Sequence, residues 1–247
     1  RYEVSVTSLR SLGKGFYLAP EVTAGYAGEW LTREQGAGLE LPVVIDSLSH
    51  GLTRSYPRIT PSIHLKKYGK KFQFSLGLGY LSGNQTSKTN GAVTGSLRIH
   101  KPLPQARLEY EFRTGRKISL QYQSSVTLPS LNQLLPIIST SNPFMLLFGN
   151  PDLQPEKRHD AGLSWFFYDQ FSFTSLFVGV DGSYVRDRIG QSVVVDEQLR
   201  QQITLVNTPE AYTGSAFLDF STPVRPLGLT FTLGLRETGR KGISFVN

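Results

Sequence analysis

Four histidines and three carboxylates are the residues whose types could do chemistry. His50, His64, His100 and His159 could ligate a metal or move a proton near neutral pH, and Asp160, Asp181 and Asp219 could act with them. Their spacing argues against both uses. The histidines are widely separated, none sits at a metal-ligand spacing, and no Cys is present to complete a site. His64 and His100 are read as sharing the polar parity of their segments, the position of a solvated side chain. The aspartates also fall inside alternating segments, where they read as polar lining. The Gly-rich run GLGYLSGN (77–84) lacks the strand-then-helix context of a phosphate cradle. No catalytic residue, metal site or cofactor is expected, and the chain is not expected to be an enzyme.

The most informative stretch is Pro129–Glu156, PSLNQLLPIISTSNPFMLLFGNPDLQPE. Pro129, Pro136, Pro143, Pro151 and Pro155 stiffen it and lower the entropy lost in holding one shape. Asn150-Pro151-Asp152 is a turn signal. The run Phe144–Phe148 is apolar enough to pack against something or to reach the outer membrane face, and it also reads as another short strand that continues the wall above the membrane.

The elements that must carry this stretch are strands. Period-2 alternation dominates the chain. Leu229, Phe231, Leu233 and Leu235 interleave with Thr230, Thr232, Gly234 and Arg236; Phe72, Phe74, Leu76, Leu78 and Tyr80 interleave with Gln73, Ser75, Gly77 and Gly79. About ten strands are expected, over 2–10, 15–31, 53–68, 71–83, 91–112, 117–128, 158–168, 171–187, 203–221 and 228–240. Many reach the ~9–11 residues that a tilted strand needs to cross a bilayer. Pro102 and Pro104 predict a bulge or a break in 91–112, and Pro20, Pro61 and Pro209 each remove a ladder donor.

The connections alternate. Short turns are expected near 11–14, 69–70, 114–116, 169–170 and 223–227, and longer links over 32–52, 84–90, 129–157 and 188–202. Tight turns on one side and long loops on the other are the habit of an up-and-down transmembrane barrel. Aromatic residues bracket the strands: Phe16, Phe72, Tyr110, Phe112, Phe167, Phe171 and Phe220 near the short turns, and Tyr26, Trp30, Tyr80 and Tyr184 near the long links. Two such bands suit rings seated at both lipid–water interfaces.

Composition agrees. The 247 residues are 39 % hydrophobic and 11 % aromatic, yet the mean hydropathy is only −0.19. A wall that turns apolar residues to lipid and polar residues to a wet lumen has that balance. No stretch of ~18 apolar residues is present, so no transmembrane helix is expected. The absence of Cys excludes a disulfide framework. The net charge of +7 sits mostly in turns, at Lys14, Lys70, Lys71, Arg113, Arg116 and Lys117, without the base-and-aromatic interleaving of a nucleic-acid surface. No nucleic-acid partner is expected.

Pro129, Ser130, Gln133, Leu134 and Pro136, followed by Gly149, Asn150, Pro151, Asp152, Leu153, Gln154, Pro155 and Glu156 and then by an alternating strand, resemble the TonB-dependent outer-membrane receptors. The likeness is greatest to the Bacteroidetes branch with its SusC-like transporters, and it covers about residues 55–247. It implies an all-β, antiparallel up-and-down transmembrane β-barrel in the bacterial outer membrane. Residues 1–247 would be about ten strands of one larger, 22-stranded barrel domain, with the plug and terminal strands outside this chain. The implied partners are the remainder of the barrel, its plug, the TonB complex, the lipid bilayer and a surface lipoprotein lid. The motif itself reads as a rigid structural loop. Arg186, Asp187, Arg188, Glu197 and Arg200 are candidate ligand contacts because long loops carry recognition. Two other readings use the same strands: a complete ten-stranded outer-membrane barrel acting as enzyme or adhesin, and a soluble carbohydrate-binding β-sandwich.

Overall fold

The computed structural model describes residues 1–33, 36–37, 43–44, 50–135, 139–142, 144–198 and 200–246. In chain order the strands are β1 (Tyr2–Thr7), β2 (Arg10–Gly13), β3 (Phe16–Arg33), β4 (Gly36–Ala37), β5 (Val43–Val44), β6 (His50–Lys67), β7 (Phe72–Thr89), β8 (Ala92–Arg113) and β9 (Arg116–Thr127). A one-turn helix α1 (Leu131–Leu134) follows, then β10 (Ser139–Asn142), β11 (Met145–Phe148), β12 (Glu156–Asp169), β13 (Thr174–Val195), β14 (Gln201–Val224), β15 (Leu229–Gly242) and β16 (Phe245–Val246).

Neighbours in sequence are neighbours in space. The sheet runs β1-β3-β6-β7-β8-β9-β12-β13-β14, with β15 on the far edge of β14 and β2 prolonging β1 along β3. Every pairing along this order is antiparallel. All ten expected strands are present. They form one curved sheet rather than two packed layers, and among the described residues β1 and β15 do not pair, so the sheet stays open.

The strands are longer than their sequence limits. β8 and β13 have 22 residues and β14 has 24. The expected links 84–90 and 188–202 are therefore mostly strand. β7 and β8 meet at Asn90-Gly91, both at positive φ (50° and 85°), a two-residue turn whose twist matches the strands it joins. Short polar side chains tie this hairpin across its strands, Asn84 to Ser96 at 3.4 Å and Thr89 to Thr94 at 3.1 Å.

The prolines are accommodated where the ladder is already incomplete. β8 is neither broken nor bulged at Pro102 or Pro104, which stay in register with Tyr80 and Leu78 of β7. Pairing of β8 with β9 starts only at Gln105, so both prolines lie where that edge has no partner, and the irregularity falls instead at Ser87/Lys88. Pro61 stands in a gap of the β6–β7 ladder. Pro209 stands opposite Asp187, a residue at φ 56° that the β13–β14 ladder skips.

The two faces differ as period 2 requires. The convex face carries Leu76, Leu120, Leu163, Val180, Leu218 and Leu235, all exposed or half-buried large apolar residues. Aromatic rows bound it. Near the short turns Phe16 meets Phe74 at 6.2 Å, Phe72 meets Tyr110 at 6.2 Å and Phe220 meets Phe231 at 6.3 Å. Near the other end Tyr80 stacks on His100, and Tyr122, His159, Tyr184 and Tyr212 form a row with centroids 5.0–6.1 Å apart. His100 is thus on the apolar parity, not the polar one read from the sequence: it shares the parity of Ala106, Leu108 and Tyr110. Eight residues separate the rows on β7 (Phe72, Tyr80), β12 (Phe167, His159) and β14 (Phe220, Tyr212). Eight residues span about 27 Å along a strand, or about 20 Å across a bilayer at a tilt near 40°.

Candidate functional site

The segment between β9 and β12 does not stand clear of the sheet. It folds into the concave side and lies across the mouth at the long-loop end. Ser130 starts α1 as an N-cap. The Ser130 hydroxyl accepts from the Gln133 backbone N–H at 3.4 Å, and the Gln133 side-chain oxygen accepts from the Ser130 N–H at 2.8 Å. The Ser-x-x-Gln spacing of the motif is therefore a capping box. It turns Leu131 and Leu134 inward, where with Leu135 and Leu153 they pack against Leu52 of β6 and Leu205 of β14. Leu31 of β3 and Ile189 of β13 complete the cluster. Strands from opposite parts of the curved sheet thus share one small apolar core, and the loop is its centre.

Arg54 of β6 fixes the entry of the loop. It is 7 % exposed, and its guanidinium donates to the carbonyl of the fully buried Pro129 and pairs with Glu29 of β3. The exit is held by the second half of the motif. β11 pairs parallel to the outer end of β14, above β15, so Met145–Phe148 does continue the wall. Gly149 then passes under α1: a Cβ there would lie 2.6 Å from the Gln133 carbonyl oxygen and closer still to that of Leu135. Only Gly tolerates that approach. The next N–H, Asn150, donates to the same Gln133 carbonyl at 2.8 Å. The Asn150 side-chain oxygen accepts from Asp152 N–H at 2.9 Å, closing the turn over Pro151, and its amide donates to the Leu205 carbonyl at 3.1 Å. Gln154 and Asn207 exchange hydrogen bonds of 2.8 and 3.0 Å. Pro155 is buried, and the Glu156 carboxylate accepts from Ile189 N–H at 2.7 Å, just past the skipped residue Asp187. Pro136 lies outside the described residues.

Below the loop the concave face is polar. Ser75, Gln105, Arg107, Gln121, Gln123, Arg158, Asp160, Asp181, Ser183, Thr213 and Ser215 line an open cleft of about 550 Å³ that spans β7 to β14. Its charges are largely neutralised in place: Arg158 Nε to Asp160 at 2.8 Å, and Arg107 Nη2 to Glu109, also at 2.8 Å, with Lys117 3.5 Å from the same carboxylate. Asp160 and Asp181 meet in this cleft, while Asp219 shares the face without lining it. His64 lies on the concave face against Gln105, and His159 in the convex aromatic row. Among the described residues no three His, Cys, Asp or Glu side chains could hold a metal ion.

Arg186, Asp187 and Arg188 are not loop residues but part of β13; Glu197 and Arg200 sit at the outer turn after it. There the Asp196 carboxylate accepts from the backbone N–H groups of Arg200 (2.9 Å) and Gln198 (3.0 Å) and pairs with Arg200 Nε at 2.7 Å. These bonds, the Arg200 backbone N–H first, hold the acid below its ordinary range. Arg54, Asn207 and Leu205 escape a reading of the sequence. Their only signal is an inward parity at a strand's outer end, which says nothing of a partner 55 or 75 residues away.

The model of a family described as an outer membrane protein beta-barrel family matches residues 63–233, from within β6 to within β15. Among solved structures the chain is similar to the hemophore receptor HasR of Serratia marcescens, solved with its hemophore HasA and heme, at 15 % identity and TM-score 0.62, covering 97 % of this chain and 41 % of that one. It is similar to the iron transporter FrpB of Neisseria meningitidis, at 10 % identity and TM-score 0.61 over 97 % and 36 % of the two chains. It is also similar to the ferric-catecholate import receptor Fiu of E. coli K12, at 10 % identity and TM-score 0.55 over 97 % and 37 %. At these identities the likeness is one of fold. All three are receptors or transporters rather than enzymes, and the chain spans about two fifths of their length. No curated protein matches the chain in sequence.

Proposed function

The chain belongs to the outer membrane protein beta-barrel family, and from that premise we propose that it forms part of the wall and outer mouth of a TonB-dependent receptor that imports a ligand across the bacterial outer membrane. The observation that carries the reading is the loop between β9 and β12. It does not extend away from the barrel as a free epitope but crosses the concave side, joined to β3 and β6 at one end and to β13 and β14 at the other. A ligand arriving from outside meets this surface and its neighbouring loops before it reaches the cleft beneath.

The cleft supplies amides, hydroxyls and charges that are mostly paired within it, with Asp181 outside those ion pairs. Such a lining offers many weak hydrogen bonds and no strong ionic trap, which suits passage or contact with a mobile partner in the lumen. In this reading a plug occupies the lumen of the larger barrel, and TonB acts on that plug to release the ligand inward. The motif Ser130-x-x-Gln133 with Gly149–Glu156 serves as the structural latch of the mouth. Its likeness to SusC-like transporters supports the Bacteroidetes branch and a surface lipoprotein that covers the mouth.

The test is uptake by the full-length protein in its own host. Cells with the gene intact, deleted, or intact in a tonB-deletion background are offered radiolabelled ferric siderophores, oligosaccharides and cobalamin. Energy-dependent accumulation of one cargo that is lost in both deletion strains is the expected result. Accumulation that needs the gene but not TonB would overturn the reading.

A further inference from the structure

The outer half of β8, from Ala92 to Pro104, is bonded on one side only. β8 pairs with β7 along its whole length, but its ladder with β9 begins at Gln105, and among the described residues no other strand takes the open side. The prolines show which backbone groups face it. In an antiparallel pair, residues alternate between those that bond to the partner strand and those whose N–H and C=O point away. Pro102 and Pro104 have no N–H, yet they sit in unbroken register with Tyr80 and Leu78. They therefore point away from β7, and Ser96, Arg98 and His100, at the same spacing of two, point away with them.

The two parts of this edge are built differently. The inner part is closed by prolines, a usual protection of a sheet edge. The outer part keeps its N–H donors. His100 stacks on Tyr80 in the outer aromatic row, so Arg98 and Ser96 stand beyond the hydrocarbon, exposed at the cell surface. The side chains fix what can lie along it. Leu97 and Ile99 turn inward to an apolar cluster with Tyr56 and Leu81, whereas Ser96, Arg98 and His100 are exposed on the other face. No carboxylate occurs between Ala92 and Gln105, and Lys101 adds a second base. A strand laid along the edge sends alternate side chains to the same two faces, so its apolar residues meet the side of Leu97 and its acids meet Arg98. A second copy does not fit. Two copies in one membrane run β8 in the same direction, and they would set Arg98 and Lys101 against the same bases with no acid to offset them.

We propose that the edge at Ser96, Arg98 and His100 is a strand-addition site at the cell surface, and that it takes an extended segment of another protein in which apolar and acidic residues alternate. Main-chain bonds to the edge supply the affinity, and the base at Arg98 selects the acidic strand. The site does not depend on import.

The test uses the full-length protein in detergent and a short fluorescent peptide in which valine and glutamate alternate, with binding followed by anisotropy. It is compared with the same peptide N-methylated at its glutamates, the same peptide N-methylated at its valines, and a valine–lysine version. An added strand turns only alternate N–H groups to the edge. One N-methylated form is therefore expected to bind about ten-fold more weakly or worse while the other keeps its affinity, and the lysine version is expected to bind about ten-fold more weakly. Hydrogen exchange at the Ser96, Arg98 and His100 amides should slow on binding, with Leu97 and Ile99 unchanged. Ser96→Pro removes one edge donor without touching the β7 ladder and should weaken binding about ten-fold. Arg98→Glu should turn the preference from the glutamate peptide to the lysine peptide. Heat-dependent electrophoretic mobility confirms that each variant is folded, and Arg98→Glu decides if Ser96→Pro is not. Absence of binding, equal effects of the two N-methylated forms, or slowed exchange at Leu97 and Ile99 in place of Ser96 and Arg98 would overturn the site. Dimers of the peptide-free protein that Ser96→Pro abolishes would assign the edge to a second copy and overturn the proposed partner.

Discussion

Arg54 has a buried guanidinium whose two partners come from different parts of the chain, Glu29 on β3 and the Pro129 carbonyl at the loop entry. Its removal leaves that carbonyl buried without a donor, at a cost of about 1–3 kcal/mol. Arg54→Ala should therefore lower the hydrogen-exchange protection of the Leu131–Leu135 and Asn150–Leu153 amides by roughly 5- to 150-fold while leaving the wall strands unchanged. Unaltered protection would show that the apolar cluster alone holds the loop. Gly149 makes the same point through shape. Gly149→Ala pushes a methyl group into the Gln133 and Leu135 carbonyls, so β11 or α1 must move, and protease cleavage between 129 and 155 should become faster than in the parent protein. Arg54 is buried and Gly149 has no side chain, yet both shape the outer mouth of the sheet.

At the scale of elements, α1 is too short to be stable alone and exists because its first turn is capped and its leucines are buried. Ser130→Ala should cost about 1 kcal/mol, read as reduced protection at Gln133, and Ser130→Asp should restore most of it. The β13–β14 hairpin ends in a turn organised by the Asp196 carboxylate. Because these bonds depress its folded pKa below that of the unfolded chain, their contribution is present above the usual carboxylate range near 3.9 and fades as pH falls through the depressed value. A carbon-13 titration of Asp196 should show a midpoint below that of an unstructured Asp, with the Gln198 and Arg200 amides losing protection along the same curve. A midpoint at the ordinary value would mean that the turn does not depend on the carboxylate.

At the scale of the whole molecule, the wall is a one-residue-thick partition between lipid and a wet lumen in the outer membrane. Leu163 and Gln121 lie on neighbouring strands one register position apart, Leu163 opposite Leu120 and Gln121 opposite Gly162, and so face opposite ways, one on the apolar face midway between the aromatic rows and one in the cleft. Leu163→Arg should destabilise the full-length protein in lipid vesicles by about 2–4 kcal/mol in urea titration, whereas Gln121→Arg should cost much less. Comparable losses from both would contradict the assignment of faces.

The strand order, the two faces and the aromatic row near the short turns follow from the sequence, because period 2 in a strand binds each residue's side to its number and short turns force neighbours to pair; of the outer row, Tyr122, His159 and Tyr212 join Tyr184 only in the folded sheet. The side of His100 is hidden from the sequence because parity there has to be counted through Pro102 and Pro104, which suggest a break that pairing with β7 does not allow. The mouth could be read only in part. Ser130, Gln133 and Gly149–Glu156 are visible as a local pattern because capping boxes and turns are made within a few residues. Arg54, Leu52, Leu205 and Asn207 are not, because what they do is set by how far the sheet curls, and curvature is a sum of small twists over many strands. The sequence by itself determined which side of each strand meets lipid. Only the tertiary structure decided which distant strands share the loop, because that contact exists only once the sheet has bent back toward itself.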